Sequence, residues 1–339
     1  MRYRKSTRLG KLSGEATRER RGMVAANNAD RQVLKRASAA GKLHSPVPGV
    51  YFRCELWDSL SQNDQLLYTM RALQKLHPAW VFAGTSAAVA HGLSVSYELL
   101  WPIRVAVSRR QYAERGAVAR QIVVGDDSGE KDGVHVTSLA RTTFDCLREM
   151  SFADGLAVAD TALRIGGMTR QELADVLGGM PRNSVGWSHA LETAAWADAR
   201  AESGGESIAR AKMIRLGYEV PRLQVEVNDP LDNKTVYRGD FGWKMADDTW
   251  LLGELDGHEK YVNPKMTKGR DVVSVLSDER LRESRISANG TRVMRFSFAD
   301  AIDGNRFSQI LEAYGVPKAM QAVSVNVGKP YVPSCRRSW

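Results

Sequence analysis

Cysteine is scarce in this chain: Cys54, Cys146 and Cys335 are the three in 339 residues, far apart and odd in number. That excludes a disulfide framework and a paired-cysteine zinc site. There is no run of about eighteen apolar residues, the length that crosses a bilayer, and no apolar stretch of the kind a secretory signal carries. The expectation is therefore a cytoplasmic protein without a membrane partner or a small-molecule cofactor. Aromatic residues make up 8% of the chain, yet hydrophobic residues reach 43%, enough at this length for two or three packed domains. Most of the chain also lacks net charge. Residues 1–42 hold twelve Lys/Arg and three Asp/Glu, net +9, which is the formal charge of the whole molecule; the other 36 basic and 36 acidic residues cancel. Such a basic segment either folds over phosphates or trails as a solvated arm.

Residues 1–12 read as that arm. From Ser13 the pattern turns helical: SGEATRERRGMVAA, a polar break at Asn27–Asn28, then DRQVLKRASAAGKL with Asp30 as N-cap and Gly41 as the stop. VPGVYF follows as a short strand pair. Helix, turn, basic helix and small β element are the order of a winged helix-turn-helix, expected over 13–58, with Arg31, Lys35 and Arg36 on or beside the helix that meets DNA. Residues 59–183 alternate helical and strand-like stretches in a mixed α/β middle region. There His91 closes a small-residue helix and Asp145 sits among core-type neighbours, so both read as structural. MPRNS breaks the pattern, and a linker helix over 184–203 carries Trp187 and Trp196, available to dock domains.

The densest chemistry lies in RGDFGWKMADDTWLLGELDGHEK, residues 238–260. It reads as two strands and a turn. Glu254 and Asp256, two apart on a strand, share a face, and folding the hairpin brings Asp240 level with Glu254. Three carboxylates on neighbouring strands repel one another unless a cation neutralises them. Hard oxygen ligands of this kind suit Mg²⁺ or Mn²⁺, ions that serve phosphodiester hydrolysis. Glu206, three residues after Ser203, has two readings: a third metal ligand, or the return arm of a capping box. Arg295, on a later strand, either binds phosphate or is a buried structural partner. Residues 316–339 lack periodicity and read as a tail.

These residues resemble the PD-(D/E)xK nuclease core, and more closely the Vsr-like domains carried by many bacterial proteins. The resemblance rests on Asp240–Phe241, then Glu254, Asp256 and Gly257, then Glu279 and Arg282, and finally Gly290, Val293, Arg295 and Phe296, in order across about ninety residues. It implies a restriction-endonuclease-like α/β domain with a mixed central sheet over 204–315, in a multidomain α+β chain. The implied metal ligands are Asp240, Glu254 and Glu206, with Asp256 and Lys260 completing the catalytic set and Arg282 and Arg295 facing DNA. The core triplet departs from the family, since E-L-D stands where E-x-K is usual; the lysine's role moves to Lys260 or His258, or is lost. LKRASAAGKLHSPVPGVYF, TSAAVAHGL, VTSLARTTFDCLREM and the D-x-A-L-R of Asp160 to Arg164 resemble the AbiEi family, antitoxins of abortive-infection systems. That likeness implies DNA and a cognate toxin as partners. Two functions follow: a metal-dependent DNA endonuclease in phage defence or repair, or a non-catalytic antitoxin that regulates its own transcription.

Overall fold

The structure is a computed structural model that describes residues 8–109, 116–256, 281, 284–288 and 290–320. The chain is mixed α/β and divides into two compact units, residues 1–146 and 147–339. Among the described residues no helix is long and apolar enough to cross a membrane.

The first unit opens on α1 (Arg8–Arg18) and α2 (Asn28–Ala39). Leu9, Leu12 and Ala16 step along one face of α1 by three and four, and they meet Leu34 and Ala37 of α2 in a small core. α1 begins at Arg8, inside the stretch that composition alone reads as an arm. It ends before Gly22, because Met23 leaves the helical path to bridge Tyr51. Asn27, not Asp30, caps α2: its Oδ1 accepts the Asp30 N–H at 3.0 Å. The Asp30 carboxylate instead turns inward to Arg8 at 2.6 Å. Gly41, at φ +69°, ends the helix in the left-handed conformation that suits glycine. A short antiparallel ladder follows, β1 (Leu43–His44) with β2 (Phe52–Arg53). Next come α3 (Cys54–Ser59), α4 (Gln62–Leu76) and α5 (Gly84–His91). β3 (Ile103–Val107) pairs in parallel with β4 (Val118–Ile122), and β5 (Gly129–Lys131) antiparallel with β6 (Val134–Val136). α6 (Leu139–Glu149) carries the chain across the unit boundary.

The second unit begins with helices. α7 (Phe152–Gly166) is buried at most positions; α9 (Trp187–Ala194) packs beside it, and α8 (Arg170–Gly178) packs against α9. α10 (Gly204–Arg215) lies along α7. Asp160 of α7 meets Arg210 of α10 at 2.8 Å through both carboxylate oxygens, with both side chains almost wholly buried. Burial pushes the Asp160 carboxyl up, while the Arg210 charge and the Asp198 N–H pull it back. Arg164 reaches the Ala201 carbonyl. The D-x-A-L-R stretch is thus a clamp that holds α7 to the turn entering α10. Trp196 packs on Phe152, with ring centroids 6.5 Å apart, inside this unit.

Four strands complete the unit: β7 (Arg222–Asp229), β8 (Asp232–Lys244), β9 (Trp250–Asp256) and β10 (Arg292–Ser297). They form one mixed sheet in the order β10-β9-β8-β7, parallel between β10 and β9 and antiparallel elsewhere. Leu223, Phe241, Trp243, Leu251, Met294 and Phe296 fill one face of the sheet, against Met213 of α10, Ala301 of α11 (Phe298–Ile302) and Phe307 of α12 (Gly304–Ala313). Val225, Val227, Leu252 and Ile286 form a second cluster with Tyr237 and Val293. Ile286 therefore packs on the sheet.

Candidate functional site

The sheet does not keep strict alternation. On β7, Leu223 belongs to the first core but Val225 and Val227 to the second; on β8, Tyr237 belongs with the second but Phe241 and Trp243 with the first. With a side-chain period of two, odd-numbered residues stay on one face only while the strand is regular. Both strands therefore change face at the same level, around Gln224 and Asp240. The cause on β7 is local: Gln224 has φ +54°, a left-handed conformation that costs a non-glycine residue about 1–3 kcal/mol. Gly239 and Gly242 flank Asp240 because Leu252 and Val225 lie over them; a Cβ on Gly242 would sit 2.6 Å from a Val225 methyl.

The β8–β9 ladder runs to Phe241 opposite Gly253, so its next step sets Asp240 opposite Glu254. The backbone pairing stops there, and the Asp240 carboxylate takes the Leu255 N–H at 2.9 Å. A side chain thus closes the gap where β8 leaves β9. On the parallel side, Glu254 is the direct partner of Arg295. The register of β7 with β8 brackets Gln224 opposite Asp240 in the same way. One row consequently crosses all four strands: Gln224, Asp240, Glu254, Arg295.

Each end of the row engages further carboxylates. Arg295 lies 3.0 Å from a Glu254 oxygen and 3.5 Å from one of Asp256. The sequence left phosphate binding and structural pairing both open for Arg295; the geometry gives it two carboxylate partners. Glu254 and Asp256 do share a face, though unequally: 13% of the Glu254 side chain is exposed against 41% for Asp256. At the other end, Gln224 Nε2 donates to Glu206 at 3.1 Å. Glu206 is buried at the start of α10, where it also accepts from the Glu202 N–H and the Ser203 hydroxyl, both at 2.8 Å. The Ser203 hydroxyl in turn accepts the Glu206 N–H. Glu206 therefore serves the helix start, but not as the return arm of a capping box, since it takes the Glu202 N–H and the Ser203 hydroxyl rather than the Ser203 N–H, and it is tied to the row through Gln224. Among the described residues no group of three or more His, Cys, Asp or Glu side chains is placed to hold a metal ion. Lys260, His258, Glu279 and Arg282 lie outside the described residues. Gln224 is the residue that the sequence did not mark. In R-L-Q-V-E-V it looks like an ordinary strand polar residue, and only the register reveals it.

On the first unit, Arg31 and Lys35 are exposed along α2 at helical spacing, with Arg36 beside them. They are exposed where Leu34 and Ala37 of the same helix are buried. His91 and Asp145 have structural partners: the His91 ring is 2.8 Å from the Thr137 carbonyl, and Asp145 pairs with Arg141 at 2.7 Å. Burial holds the His91 imidazole below its ordinary pKa, so it is kept neutral more readily than in water.

What the geometry defines is a two-unit α/β chain with a carboxylate–arginine row across a mixed sheet. No protein-family model and no solved structure matches it. Two uncharacterized proteins of Mycobacterium tuberculosis, from strains CDC 1551 and H37Rv, are each 32% identical to it over 128 residues. That stretch is 38% of this chain and 45% of each relative, so the match spans less than half the length of the curated relatives.

Proposed function

We propose that this is a DNA-binding protein whose second unit is a Vsr-like, restriction-endonuclease-like domain that hydrolyses DNA phosphodiesters with Mg²⁺ or Mn²⁺, in phage defence or DNA repair, in the bacterial cytoplasm. Residues 13–58 would then be the winged helix-turn-helix. The reading is carried by the placement of Asp240 opposite Glu254, where β8 parts from β9 and a side chain replaces the ladder. Chemically the donor set fits: Mg²⁺ keeps most of its water and is commonly held by one or two carboxylates plus substrate phosphate, not by a protein cage. Asp240 and Glu254 would supply those two carboxylates. Bound there, the ion would polarise a phosphoryl oxygen and acidify water. Glu206 and Gln224 are hydrogen-bonded at the β7 end of the row, and Arg295 pairs with Glu254 and Asp256 at the other. Arg31, Lys35 and Arg36 would bear on DNA phosphates.

The arginine favours a second reading as well. With Arg295 in place the carboxylates already have a cation, so the electrostatic demand for a metal is weaker, as in a silent nuclease fold serving an antitoxin-type regulator with a cognate toxin. Purified protein on supercoiled plasmid with Mg²⁺ or Mn²⁺, with and without EDTA, separates the two. EDTA-sensitive nicking supports the endonuclease. No nicking with either ion, together with binding to the protein's own upstream DNA, leaves the regulator.

A further inference from the structure

Arg295 occupies the position that matters most for a metal at this site. It is directly opposite Glu254 on the neighbouring parallel strand. Its Nη2 lies 3.0 Å from Glu254 and its Nη1 3.5 Å from Asp256, so one guanidinium spans both carboxylates of the E-L-D triplet. Only 23% of its side chain is exposed. The guanidinium carries several N–H donors in one plane, so a single arginine can reach two carboxylates at once. It also presents positive charge to the same oxygens that a hard divalent cation would use.

We propose that Arg295 is the resident counter-ion of the Glu254–Asp256 pair and the charge with which a divalent cation must compete there. The inference rests on the metal reading of this site. In the metal-free protein the guanidinium keeps the two carboxylates from repelling each other and holds β10 to β9 at the end of the ladder. A metal ion at Glu254 brings a second positive centre to the same oxygens, so the guanidinium has to yield part of its hold. The site is then graded by competition between an arginine and an ion, and its metal affinity is set below what the carboxylates alone would give.

The test is Mn²⁺ binding to the full chain, read by calorimetry and by thermal melting, for wild type, Arg295→Gln and Arg295→Lys. In EDTA, Arg295→Gln melts below wild type, since Glu254 and Asp256 lose a cation that pairs with both. On titration it binds Mn²⁺ at least about tenfold more tightly, because a like charge a few ångströms from the ion acts through an effective dielectric of only about 20. Arg295→Lys keeps the charge without the fork and falls between the two; should the glutamine variant fail to fold, the lysine variant must still bind more tightly than wild type. Equal Mn²⁺ affinity in wild type and variants overturns the proposal while leaving the metal reading intact. If wild type and variants all fail to bind Mn²⁺, the metal reading fails and the competition with it.

Discussion

Asp240→Asn separates what this carboxylate does for the fold from what it does for chemistry. In the folded chain Asp240 accepts the Leu255 N–H at 2.9 Å. Asparagine keeps an acceptor oxygen of nearly the same shape and loses one negative charge. The bond passes from the charge-assisted class, about 1.5–3 kcal/mol, to the neutral class, about 0.5–1.5, so the expected cost is roughly 1 kcal/mol. In a unit of this size that lowers the melting temperature by about 2–4 °C. Nicking should fall by at least about a hundredfold, the usual loss when a group that stabilises transition-state charge is removed. DNA binding without metal should persist or tighten, since one carboxylate no longer opposes the phosphates. The assays are plasmid nicking with Mn²⁺, a melting curve, and DNA binding in EDTA. A variant that nicks like wild type places the activity elsewhere. One that melts more than about 10 °C lower shows the carboxylate to be a structural element first.

Three further outcomes follow from the geometry. Asp160→Asn leaves Arg210 buried without its charged partner, which costs about 3–5 kcal/mol and lowers the melting temperature of the second unit by roughly 6–20 °C; a shift within about 2 °C would refute the clamp. His91 titrates lower in the folded chain than in the unfolded one, whose ordinary value is about 6.5. The unfolded state therefore takes up the proton first, so stability present above about pH 6.5 is lost as pH falls toward the folded pKa. His91→Gln should remove that slope from the melting profile of the first unit, and an unchanged slope assigns it to another group. Replacing Arg31, Lys35 and Arg36 together with alanine should reduce the salt slope of DNA binding by about 2.7, at about 0.9 per phosphate contact; an unaltered slope moves the DNA surface off α2.

The sequence made the local elements readable where a residue's own chemistry decides them. Gly41 ends α2 and Ser203 starts α10. It also brought Asp240 level with Glu254, because hairpin register follows from strand length and turn. It misread what depends on distant partners. Asp30 looked like a cap because Asp is a good one; Asn27 takes that place, and Asp30 is drawn inward by Arg8, nineteen residues from Asn27. Arg295 stayed ambiguous because the neighbour of β10 is a long-range fact. Gln224 was invisible for a subtler reason. A strand that switches faces at one left-handed residue still looks like alternation in one dimension, with Leu223, Val225 and Val227 at regular spacing.

Formal charge around the row brings the two units' roles into one problem. Among the described residues, Asp240, Glu254 and Asp256 bring three carboxylates together beside the guanidinium of Arg295. At close range like charges cost kilocalories in a medium of intermediate dielectric, so a phosphodiester does not approach such a patch unaided. On the endonuclease reading, a divalent cation would offset part of that negative charge and let a DNA phosphate approach. On the regulator reading, DNA contact would fall to the first unit, where residues 1–42 carry the chain's whole excess of positive charge. The endonuclease and the regulator thus differ in a single physical quantity, the affinity of this row for a divalent ion. Arg295 is the residue in the row that acts on that affinity directly, because its charge has the ion's sign and its partners are the ion's ligands.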